Sequence, residues 1–125
     1  MKAVRSLAEL TQLRPEERAA LQDYLTRLRR RFGSRVLQVI LFGSRARGEG
    51  DAESDLDVLV VADDKDWHVH QAIADESVEP WLLNRALISP ITMEAAEYEK
   101  LRQWQTLFYR NVEREGLDLW TANPA

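Results

Sequence analysis

An apolar run with two acids at its mouth constrains this chain more than any other feature. Asp55 to Ala62 reads DLDVLVVA. The unbroken apolar stretch Val58 to Ala62, β-branched at Val58, Val60 and Val61, predicts a strand buried in a core. In a strand, Asp55 and Asp57 point to the same face with Cβ atoms roughly 7 Å apart. Two like charges so placed repel each other and lose hydration, so something cationic should stand between them.

The chain leading to this run adds the other half of a site. RVLQVILF, Arg35 to Phe42, predicts a second core strand, and GSRARGEGDAES follows it. Magnesium suits the paired aspartates, because it takes one or two protein carboxylates and completes its shell with water and substrate phosphates. A nucleoside triphosphate would supply those phosphates. Gly43 allows close backbone approach to a ligand, and Ser44 offers a hydroxyl and an N–H at the start of a turn. Arg45 and Arg47 add fixed positive charge for a polyphosphate leaving group.

The remaining chain supplies a scaffold. PEERAALQDYLTRLRRRFG carries apolar residues at helical spacing (Ala20, Leu21, Tyr24, Leu25, Leu28, Phe32), with Pro15 at its start and Gly33 at its stop. A helix is predicted from about Asp66, kinked near Pro80. ALISPITM predicts a third strand, on an edge or bulged because of Pro90. Two helical stretches follow, from Thr92 and Glu94 toward Arg102 and from Leu107 to Gly116. Leu101, Trp104, Leu107 and Phe108 lie near helical spacing and read mostly as core, with some left for an interface such as a homodimer.

Composition narrows the classes. With 125 residues and 45% hydrophobic content the chain reads as one domain, 1–125, whose core runs from about 21 to 120. No separate acceptor-binding domain is expected. The net charge of -4 argues against direct nucleic-acid binding through the overall field, and zero cysteines exclude disulfides and thiolate metal sites. No segment approaches the ~18 apolar residues a membrane helix needs, so a cytoplasmic location is the expectation. His68 and His70, two apart, face different ways on a helix and are poorly placed to share a metal. The fold class expected is α/β (α+β), a small mixed β-sheet of about three to four strands with helices packed on one face.

Spacing binds these pieces together. Gly43-Ser44, ten intervening residues, then Asp55-Leu56-Asp57 is the G-S-x10-D-x-D arrangement, and it resembles that of the DNA polymerase beta nucleotidyltransferase superfamily. Within it, VILFGSRARGEGDAESDLDVLVV is most similar to the minimal nucleotidyltransferases, small proteins often paired with an all-helical HEPN partner in toxin–antitoxin modules. The likeness extends from about Leu21 to Trp120. It implies that Gly43 and Ser44 hold the triphosphate and that Asp55 and Asp57 bind catalytic magnesium, with Arg45 and Arg47 as weaker carry-overs. It also implies transfer of a nucleoside monophosphate, AMP from ATP, to a hydroxyl of a HEPN-type partner that the chain restrains as an antitoxin. Two alternatives stand beside it: a degenerate nucleotide-binding subunit that neutralises its partner by contact, and a transferase acting on a small molecule.

One part of the pattern is missing. Relatives of this kind place a third carboxylate on the next strand, and ALISPITM has none, offering only Ser89 and Thr92. Glu79 and Glu94 are the leading substitutes, ahead of Asp75 and Glu76. Competing motifs fail. A P-loop would need Lys and Ser/Thr where Glu49 and Gly50 stand, and a calcium loop would need glycine at Leu56 and a closing Glu at Ala62.

Overall fold

The computed structural model describes residues 1–51 and 53–120, and its elements follow the hydrophobic periodicities closely. A first short strand β1 (Lys2–Ala3) precedes a turn of 3-10 helix at Leu7–Glu9 and the helix α1 (Pro15–Phe32). Pro15 takes the first helical position, where its missing N–H costs nothing, and Gly33 ends the helix at φ 54°. Strands β2 (Val36–Phe42) and β3 (Leu56–Ala62) follow, then α2 (Trp67–Asp75), α3 (Val78–Asn84), β4 (Ile88–Glu94), α4 (Ala95–Gln103), α5 (Leu107–Glu115) and a short β5 (Leu117–Asp118). Pro80 lies in the first turn of α3, so the predicted kink is a break between two helices.

The five strands form one mixed sheet in the order β1-β5-β2-β3-β4. β2 and β3 are antiparallel, with Phe42 opposite Asp57, and β3 and β4 are parallel, with Asp57 beside Ser89. β4 is the outer strand, which is where Pro90 is tolerated. The sequence predicts about three to four strands and the sheet has five; β1 and β5 are two residues each and carry no alternation to read.

Side-chain alternation along β2 and β3 creates two cores. Val39, Leu41, Leu56, Val58 and Val60 face α1, Ile73 of α2 and the N-terminal segment, and all are buried. Ile40, Leu59 and Val61 face the opposite way, against Val112 of α5, with Tyr98 and Phe108 partly buried beside them. Helices therefore cover both faces of the sheet, not one. The second layer is thin, which explains why Trp104 and Leu107, read as core from their spacing, lie 71% and 65% exposed at the turn between α4 and α5. Among the described residues no helix is long and apolar enough to cross a membrane.

Candidate active site

The hairpin between β2 and β3 carries the candidate site. Gly43 leaves β2 at φ 79°, a left-handed conformation that glycine adopts without strain. A Cβ at this position would lie 2.3 Å from Asp57 Oδ2, so only glycine lets the chain pass this close to the carboxylate. A single turn follows, in which the amide of Arg47 donates to the Gly43 carbonyl at 3.2 Å and that of Glu49 to the Ser44 carbonyl at 2.8 Å. Among the described residues the amides of Ser44, Arg45 and Ala46 make no hydrogen bond within the protein. Successive unengaged amides at the head of a turn form a concavity suited to an anion.

Asp57 opens β3 on the face it shares with Leu59 and Val61, while Asp55 lies exposed just before the strand. Burial pushes the Asp57 carboxyl up from its ordinary value, the neighbouring Asp55 charge pushes it further, and Arg47 pulls it partly back. The two carboxylates and Arg47 thus share one electrostatic environment, in which Arg47 offsets the aspartates only in part. That is the condition under which a divalent cation binds well, and two carboxylates plus phosphate oxygens make an adequate magnesium set. Such an ion would be held by Asp55 and Asp57, and it would neutralise the phosphates during displacement. Among the described residues no group of three or more metal-ligating side chains exists, so the structure provides the pair and no more.

Arg47 stands at this site but is engaged: Nε donates to Glu49 Oε2 and Nη1 to Glu115 Oε2, both at 3.0 Å. Glu115 ends α5 and is only 13% exposed in its side chain. The sequence offered no signal for it, because its relevance depends on β5 pairing with β2, which brings the end of α5 alongside Gly43.

Three expected site residues are elsewhere. Arg45 was expected to face phosphate, but its guanidinium is buried and directed at Glu17 of α1, with Nε to Oε2 at 2.9 Å and Nη2 to Oε1 at 2.8 Å. Its other donors reach the Glu49 and Gln12 carbonyls. Glu79 lies on α3 and pairs with Arg27 of α1 at 2.9 Å, on the far side of the sheet from the Asp57 side chain. Glu94 caps the opposite end of β4, five residues beyond the position beside Asp57, about 16 Å along a strand. Glu76, the lesser substitute, pairs with Arg31, and Asp75 accepts from Gln71. The position next to Asp57 on β4 belongs to Ser89.

Comparison with known proteins identifies the family. Residues 21–118 match the model of the nucleotidyltransferase domain family. A protein of Methanocaldococcus jannaschii provisionally named a protein adenylyltransferase is 32% identical over 105 residues, covering 83% of this chain and 98% of that protein. A second such protein of the same organism is 43% identical over 42 residues, 34% of this chain and 29% of its own length. Crystal structures of two variants of a toxin–antitoxin pair, MntA-HpeT, superpose with a TM-score of 0.51. Their identities are 22% and 21%, covering 79% and 77% of this chain and 71% and 69% of theirs, a likeness of fold. The chain belongs to the nucleotidyltransferase domain family and is a nucleotidyltransferase.

Proposed function

We propose that this chain uses magnesium and ATP to transfer AMP to a hydroxyl of a protein partner, releasing pyrophosphate, and that the partner is a helical HEPN-type protein which the modification restrains. The observation that carries the reading is the contact of Gly43 with the Asp57 carboxylate, which joins the turn amides to the paired acids in one place. Triphosphate oxygens would meet the amides of Ser44, Arg45 and Ala46, and Asp55 and Asp57 would hold the metal. Arg47, released from Glu49 and Glu115, would stabilise charge on the departing pyrophosphate. A protein target is favoured by the name of the 32%-identical relative, and a HEPN-type partner by the toxin–antitoxin pair that shares the fold.

A second reading rests on Ser89. It occupies the strand position beside Asp57 and cannot act as a carboxylate base. A chain of this kind could neutralise its partner by contact and keep only a nucleotide-binding remnant.

One experiment separates the two. The purified chain is incubated with magnesium, ATP and the HEPN-type candidate, and the partner is weighed for the addition of one AMP. The transfer reading expects that addition, and its loss in an Asp55→Asn, Asp57→Asn double variant. Complex formation and neutralisation that persist in the double variant, with no added mass in the wild type, would establish the contact reading.

A further inference from the structure

The turn after Gly43 has its carbonyls engaged and its leading amides turned outward. The carbonyls of Gly43, Ser44 and Arg45 accept from the amides of Arg47, Glu49 and Gly48, and the Ala46 carbonyl accepts from Gln12 Nε2 at 3.3 Å. The Glu49 carbonyl accepts from Arg45 Nη1 at 2.7 Å. Every one of these carbonyls is claimed by the protein, while the amides of Ser44, Arg45 and Ala46 have no partner among the described residues. Amides left in that state are open to water or to an anion.

What fixes it in that state is a buried fork. Glu17 sits in the first turn of α1, 1% exposed, with Oε1 accepting the Arg14 amide at 2.8 Å in the manner of a capping-box acid. Capping needs a single oxygen, yet both Glu17 oxygens also receive Arg45, and Arg45 Nη2 adds the Gln12 carbonyl at 2.9 Å. The turn is thereby clamped to the start of α1 and to the segment before it. An ion pair taken out of water is a poor source of stability compared with apolar side chains of the same size. Its directional fork is what apolar packing cannot supply.

We propose that Glu17 and Arg45 are positioning residues for nucleotidyl transfer, holding the Ser44–Ala46 amides in the geometry that receives the triphosphate. Arg45 acts through the backbone and never touches the phosphates. This rests on the reading that the turn after Gly43 is the triphosphate site.

The test is calorimetric titration with Mg-ATP, and with the Mg complexes of GTP, CTP and UTP, at a temperature where each variant is shown by circular dichroism to be folded. Arg45→Lys keeps the charge and loses the fork. Glu17→Met with Arg45→Met removes both charges and restores packing. Gln12→Met cuts only the tie to the Ala46 carbonyl and leaves the buried pair intact, so it keeps the test available if the others do not fold. The first two are expected to bind the preferred nucleotide at least tenfold more weakly, the third about threefold more weakly. The double Met variant is expected to melt at or above the wild-type temperature, separating its binding defect from stability. Asp57→Asn serves as the reference for loss of the site itself. Wild-type affinity in a folded Arg45→Lys or double Met variant, with Asp57→Asn impaired, overturns the positioning role alone; wild-type affinity in Gln12→Met overturns it should neither of them fold. A wild-type chain that binds no nucleoside triphosphate overturns the triphosphate site and the positioning role together.

Discussion

Arg45 and Arg47 are two residues apart in one turn and meet opposite fates. Arg45 turns toward α1, loses its water and spends four hydrogen bonds on Glu17, Gln12 and Glu49. Arg47 turns toward α5, keeps 40% of its side-chain surface exposed and holds Glu49 and Glu115. The same residue type therefore serves as a buried brace on one side of the turn and as a solvent-exposed charge on the other. What decides is the burial of the acid each one meets. Glu17 is sealed under α1, whereas Glu49 is 64% exposed and Glu115 lies at a helix end. Long-range pairing of this kind ties the hairpin to both helical layers at once.

Removing Arg45 is the harshest way to test the difference. Arg45→Met leaves the Glu17 carboxylate buried without its partner and should cost about 3–5 kcal/mol in urea unfolding. Glu17→Met in the same chain should recover all of it or more, because an apolar pair of similar volume replaces the ion pair. If the single variant unfolds at the wild-type midpoint, Glu17 is not sealed and the contrast with Arg47 collapses. Arg47→Met should shift the unfolding midpoint much less than Arg45→Met does, since Arg47 and Glu49 are exposed and Glu115 alone of the three is largely covered. Its effect should appear in transfer, on the order of 10²-fold in kcat if it stabilises the leaving group.

Acid acts on Glu17 and Asp57 in opposite directions. Burial by itself would raise the Glu17 carboxyl, but the Arg45 guanidinium and the Arg14 amide outweigh it and hold it below the ordinary glutamate value of 4.5. A depressed carboxylate stabilises the folded chain fully above its unfolded pKa and loses that contribution as pH falls through the lower, folded pKa. Wild-type stability should therefore drop below about pH 4.5, and Glu17→Gln should flatten that limb of the pH profile. Asp57 runs the other way. Its carboxyl is raised by burial and by Asp55, so Asp57→Asn should raise the melting temperature at neutral pH while abolishing transfer, as expected where a functional site is kept at a cost to the fold.

These contrasts also mark how much the sequence could carry. α1 and the three long strands were legible because Pro15, Gly33 and the apolar runs are local signals. Gly43, Asp55 and Asp57 were legible as a set because one hairpin holds them, so sequence spacing is close to spatial spacing. Arg45 was misread because the acid that captures it lies 28 positions earlier, and nothing in GSRARG marks which arginine turns inward. Glu79 and Glu94 were misread for the same reason. Distance along the chain from the third strand does not tell which face of the sheet, or which end of a strand, a carboxylate reaches. The exposed Trp104 and Leu107 show the limit of periodicity, which finds an apolar stripe without saying whether anything covers it.

The smallest expected effect concerns the thin layer on the Asp57 face, where the same question of burial is asked of a hydroxyl. Tyr98 of α4 packs against Tyr109 of α5 with ring centroids 5.5 Å apart, and its hydroxyl oxygen is buried with no hydrogen-bond partner among the described residues. Burial, then the neighbouring Tyr109 and Glu113, push this phenol up to about 12, so it stays neutral at every physiological pH. A buried polar group without a partner forfeits its hydration and gains nothing in return. Tyr98→Phe deletes that group and keeps the ring, so it should leave the chain as stable or more stable by up to about 1 kcal/mol in urea unfolding. A clear loss of stability would mean that the hydroxyl has a partner in solution. The thin layer would then be braced by a polar contact, as the hairpin is on the α1 side, and would not rest on ring packing alone.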